Sequence, residues 1–92
     1  MMATVKIPTP LRRLTQEKDE ISTSAKNVAD MISDLEKQFP GMKERLCDSD
    51  GSIRKFINVY VNEEDIRFLG GITTEIKDDD TVSIIPAIAG GI

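Results

Sequence analysis

An α+β fold is expected for this chain: a mixed sheet of about four to five strands with one main helix packed on one face. Two periodicities predict it. Near both ends and in the middle of the chain apolar residues alternate with polar ones, as in strands with one buried face, whereas Val28, Ile32, Leu35 and Phe39 recur at spacings of four, three and four, which is the stripe of an amphipathic helix. Length adds a third constraint, since 92 residues, 39% of them hydrophobic and 30% charged, suffice for one core but not for a second domain.

Taken in order, Thr4-Val5-Lys6-Ile7 alternates as a first strand that Pro8 and Pro10 end. The short β-rich run Glu20-Ile21-Ser22-Thr23 follows a polar segment and is expected to return antiparallel to it. Asn27 fits the N-cap of the helix, with Asp30 three residues on near its positive end, and Pro40-Gly41 stops it. Residues 42–46 can add a short turn, and Cys47-Asp48-Ser49-Asp50-Gly51-Ser52 reads as a loop. Phe56-Ile57-Asn58-Val59-Tyr60-Val61 is the strongest strand signal, with Ile57, Val59 and Val61 facing the core. Asn62-Glu63-Glu64-Asp65 is expected as a polar turn into a short strand, Ile66-Arg67-Phe68, which Gly70-Gly71 terminates. Thr81-Val82-Ser83-Ile84-Ile85-Pro86 is the final strand, and if Ser83 marks the solvent face then Ile85 is exposed. With the first and last strands parallel at the sheet centre, this order is the β-grasp. Residues 1–86 are expected to form that domain and residues 87–92 a flexible C-terminal tail.

Composition excludes several classes of function. A net charge of -4 argues against a nucleic-acid backbone as partner. Histidine is absent and Cys47 is the only cysteine, which removes Cys/His catalysis, the usual zinc sites and an intrachain disulfide. The first residues lack a signal-peptide stretch and no run is long enough to span a bilayer, so no membrane partner and a cytoplasmic location are expected.

Other candidate residues have simpler readings. Asp78-Asp79-Asp80 is a solvated turn rather than a metal site, because consecutive residues do not converge as calcium ligands do. Glu63-Glu64-Asp65 suits a hairpin turn, and Gly70-Gly71 an internal turn. Cys47 stands beside an acidic loop that disfavours its thiolate.

The closing residues, Pro86-Ala87-Ile88-Ala89-Gly90-Gly91-Ile92, end in two glycines that keep the backbone narrow. Together with Val5-Lys6-Ile7-Pro8, the helix from Val28 to Glu36 and the stretch Asn58 to Phe68, they make the chain resemble, over nearly its whole length, the ubiquitin-like sulfur carriers of the MoaD/ThiS family. The likeness is greatest to the CysO branch, which carries sulfur for cysteine synthesis.

The resemblance implies a carrier that is not itself an enzyme and binds no cofactor. Its terminal glycine carboxylate would be adenylated with ATP by an E1-like enzyme and converted to a thiocarboxylate. Gly91 would be the reacting residue, Gly90 and Ala89 the tail that threads the activating cleft, and Ile85, Pro86 and Phe68 the surface offered to partners. Ile92 departs from the family pattern, since it holds Gly91 in an amide; removal by a processing peptidase is expected. Beyond the activating enzyme, the implied partner is a sulfur-accepting enzyme such as a cysteine synthase. Alternatives within the same resemblance are the small subunit of molybdopterin synthase, with that enzyme's large subunit as partner, a thiamine-type sulfur carrier, and a ubiquitin-like protein modifier.

Overall fold

The computed structural model describes residues 2–86. Five strands, β1 (Ala3–Lys6), β2 (Glu20–Thr23), β3 (Ile57–Val61), β4 (Glu64–Asp65) and β5 (Thr81–Pro86), form one sheet in the order β2-β1-β5-β3-β4. β1 and β5 run parallel at its centre and every other pair is antiparallel. This is the β-grasp arrangement expected from the order of elements, with helix α1 (Val28–Gln38) over one face.

α1 begins where its cap predicts. The Asn27 side chain accepts the Asp30 N–H at 2.8 Å, satisfying one of the donors a helix start leaves unpaired. Val28, Ile32 and Leu35 are buried as their spacing requires, and Met31 is buried with them, so the apolar stripe is wider than the sequence period marks. They pack against Val5, Val59, Val82 and Ile84 of the sheet. Thr23 ties β2 to the helix: it is fully buried and its hydroxyl donates to the Asp34 carboxylate at 2.8 Å.

The helix ends at Gln38, just ahead of Pro40-Gly41. Gly41 has φ +102°, a conformation that glycine adopts without strain. The Glu36 carboxylate accepts the N–H groups of Gly41 and Lys43, turning the chain into the five-residue helix α2 (Met42–Leu46), where the sequence indicated only a turn. Residues Thr9–Thr15, unassigned by pattern, form a 3-10 helix that bridges β1 and β2.

One expected element is corrected. Ile66–Phe68 is a 3-10 turn rather than a strand, and the fourth strand is Glu64–Asp65, read from sequence as part of the turn. The reversal needs only Asn62 and Glu63, both at positive φ (51° and 77°), as in the tight hairpins that match sheet twist. Tyr60 and Val61 then pair at once with Asp65 and Glu64. Ile66 turns into the core, 3% exposed, while the Asp65 carboxylate accepts the Arg67 N–H at 2.9 Å. Burial of that one isoleucine diverts the backbone from the ladder. Smaller differences lie at strand ends: β1 stops before Ile7, and Phe56 precedes β3. Among the described residues no helix is long and apolar enough to cross a membrane.

Candidate functional site

The candidate site is built on β5, whose pleat sends Val82 and Ile84 into the core and Ile85 to the opposite face, 47% exposed. Register supplies its neighbours. Asn58 lies across from Ile85 and Tyr60 from Ser83 on one side, and Lys6 pairs with Ser83 on the other. A shallow hollow of about 300 Å³ runs beside Ile85 and Pro86, bordered by Lys6, Pro8 and Arg12. The Arg12 guanidinium is held there by donating from Nε to the Ile7 carbonyl at 3.1 Å. An apolar side chain flanked by two cations therefore stands at the end of β5.

Ile85 and Pro86, singled out from sequence, are thus adjacent at the end of the central strand. Phe68 is 86% exposed but belongs to the turn after β4, and β3 and β4 lie between it and β5. Ile66 is buried and adds nothing to the outer surface. Ala89, Gly90, Gly91 and Ile92, with the tail assigned to residues 87–92, lie outside the described residues. Lys6, Pro8 and Arg12 were not anticipated: strand period assigns a residue to a face but does not name the strand beside it.

The remaining candidates resolve locally. Cys47 is buried, and burial is the main influence pushing its thiol above the ordinary value; Lys43 acts the other way, and Asp48 and Asp50 add to the rise. The acidic loop is thus a minor cause. Asp80 accepts from the Lys77 N–H at 2.8 Å and the Asn62 amide at 2.7 Å, and these hydrogen bonds hold its carboxyl below the ordinary range. Its neighbour Asp79 takes a left-handed turn conformation. Among the described residues no group of three or more His, Cys, Asp or Glu side chains is placed to hold a metal ion. Gly71 opens a second 3-10 turn, Gly71–Thr73.

A parallel central strand pair, a single covering helix and an outward apolar side chain just before a double glycine can be compared with known proteins. The ThiS family matches residues 5–91. The chain belongs to the ThiS family. It is 48% identical over 93 residues to the sulfur carrier protein CysO of Mycobacterium tuberculosis, covering 99% of this chain and all of that one. The crystal structure of M. tuberculosis CysO superposes with a TM-score of 0.89 at 47% identity, over 92% of this chain and 98% of that one. A chain of the Amycolatopsis orientalis BexX/CysO complex gives a TM-score of 0.91 at 45% identity, over 97% and 99% of the two chains. Small archaeal modifier protein 3 of Haloferax volcanii is 36% identical over 64 residues, 70% of this chain and 68% of that one. The matched stretch in the family runs through Gly91 and stops before Ile92.

Proposed function

We propose that the chain is a cytoplasmic sulfur carrier, a co-substrate of other enzymes rather than a catalyst, serving cysteine biosynthesis. The observation that carries this reading is the double glycine Gly90-Gly91, four and five residues beyond the last strand, in a β-grasp chain that is 48% identical to a sulfur carrier protein CysO. Residues 1–86 act as the handle and residues 87–92 as the tail.

A processing peptidase first removes Ile92 and frees the Gly91 carboxylate. An E1-like enzyme then brings one carboxylate oxygen onto the α-phosphorus of ATP; pyrophosphate leaves and an acyl adenylate forms. Hydrosulfide attacks the Gly91 carbonyl carbon, AMP departs with the former carboxylate oxygen, the S–H proton passes to solvent, and a thiocarboxylate remains. The carboxylate is inert until that oxygen becomes a leaving group, and any side chain on the last two residues would obstruct the closed cleft around the carbonyl. ATP is consumed at the activating enzyme. Ile85 and Pro86, and separately Phe68, supply apolar contacts to partners, among them the sulfur-accepting enzyme.

The test is intact mass after incubating the full-length and Ile92-deleted chains with ATP, an activating enzyme and sulfide. A sulfur-for-oxygen exchange is expected on the shortened chain alone. Exchange on the uncut chain removes the processing step, and no exchange on either removes the carrier reading. A second reading, a protein modifier, is favoured by the likeness to small archaeal modifier protein 3; isopeptide adducts on lysines of target proteins would identify it.

A further inference from the structure

On the helix-covered side of the sheet, β3 is flanked by an apolar groove of about 450 Å³, within the range of ligand clefts, about 300–1,000 Å³. Its floor is Ile57, Val59 and Ile66, and its walls are Ile53 and Ile72. Val59 and Ile66 are buried, whereas Ile72 is 36% exposed. Among the described residues, the charged ones along it are Arg54, Lys55 and Arg67, and none that lines it is a carboxylate. In a chain of net charge -4 that is a local reversal of sign.

The rim is ordered before anything binds. Asp48 and Ser52 are joined by a backbone bond of 2.8 Å, Cys47 and Ile53 form a bridge, and Arg54 donates from its N–H to the Leu46 carbonyl at 2.9 Å. The Arg54 guanidinium also donates to the Glu44 carbonyl. Acids do approach the two arginines from outside the groove. Asp48 lies 3.8 Å from Arg54 and Asp65 3.7 Å from Arg67. Both are long, single contacts with arginine side chains more than half exposed; the Arg54 pair is exposed on both sides, the kind worth little in water, while the Asp65 side chain is 16% exposed. Lys55 leans over the Phe56 ring, 5.3 Å from its centroid.

We propose that this groove is a docking site for an acidic segment of a partner protein, with one bulky apolar side chain seated on Ile57, Val59 and Ile66 and carboxylates set against Arg54, Lys55 and Arg67. Charge complementarity selects this occupant. A second copy of the chain in a two-fold pair would bring two basic rims together. Residues 87–92 contain no acidic side chain, so the chain's own tail offers at most one terminal carboxylate against three cations. The surface is separate from the one around Ile85, because Ile57 and Ile85 point to opposite faces of the sheet. Nothing in it requires the C-terminal carboxylate, so it stands or falls independently of sulfur transfer.

The test is amide chemical-shift mapping of the full chain, labelled with nitrogen-15, against a blocked heptapeptide of one central leucine flanked by three aspartates on each side. Saturable shifts are expected at Ile53, Lys55, Ile57, Arg67 and Ile72, with a Kd below about 1 mM. Binding should weaken about tenfold in the double variant Lys55→Glu, Arg67→Glu, and should fall with added salt. The variant's remaining amide spectrum reports that it is folded. Absence of binding, equal binding of the same peptide with lysines, or shifts centred on Ile85 and Tyr60 would overturn the proposal. So would groove shifts that track protein concentration alone, which identify a second copy, or shifts at Ile53, Arg67 and Ile72, away from the Ile57–Pro86 pair, on deleting residues 87–92, which identify the tail.

Discussion

Ile57 and Pro86 face each other as the last pair of the β3–β5 ladder. The final described residue of the chain is therefore clamped against the first residue of β3, and the pair before it, Asn58 and Ile85, sets the exposed isoleucine on the outer face. The tail thus starts from a fixed point, with its root bordered by Lys6 and Arg12 on one face and by the Ile57 groove on the other.

Ile85→Ala is expected to lower kcat/KM of the activating enzyme for the Ile92-deleted chain about tenfold, as loss of a central apolar contact does. The thermal midpoint should change little, because the side chain is half exposed. Phe68→Ala should act independently. Two strand spacings separate β4 from β5, roughly 10 Å, so the double variant should sum the two losses to within about 0.5 kcal/mol. Steady-state kinetics on the four chains checks both statements.

Asp80 should make stability depend on acid. Its folded carboxyl lies below the ordinary value of 3.8, so its contribution is complete above that value and is lost as pH falls through the folded one. Urea midpoints of the wild-type chain and Asp80→Asn should differ at pH 7 and converge in acid well below 3.8. Equal midpoints at neutral pH would mean that the bonds to Lys77 and Asn62 contribute nothing.

Cys47 should resist alkylation while the chain is folded. Burial both shields the thiol and raises its pKa, so iodoacetamide should react about tenfold or more slowly than with a free thiol and normally once urea unfolds the chain. Cys47→Ala should still accept sulfur at Gly91, measured as intact mass.

Asn27→Ala should cost about 1 kcal/mol in urea denaturation, the usual value of a lost N-cap, and Asn27→Ser should recover most of it. The cap was legible in advance because Asn27 and Asp30 carry the signal within four consecutive residues. Local chemistry of this kind, together with the α1 stripe and the alternation in β3 and β5, needs no knowledge of distant neighbours. Glu64 and Asp65 were misplaced for the opposite reason. Their strand exists only because Tyr60 and Val61 stand beside them, and two acidic residues carry no β-signal of their own.

The sequence by itself determined the kinds of element, the buried face of the helix and of the long strands, the β-grasp class, and the double glycine that follows the last strand. Periodicity and composition act within a few residues, so they are readable along the chain. Only the tertiary structure decided which side chains became neighbours: Lys6 and Arg12 beside Ile85, Phe68 on the far side of β4, and three cations around one apolar groove. Those adjacencies depend on strand pairing across 77 residues between β1 and β5 and 21 to 29 residues between β3 and β5, where register comes from the packing of the whole core and no local pattern reports it.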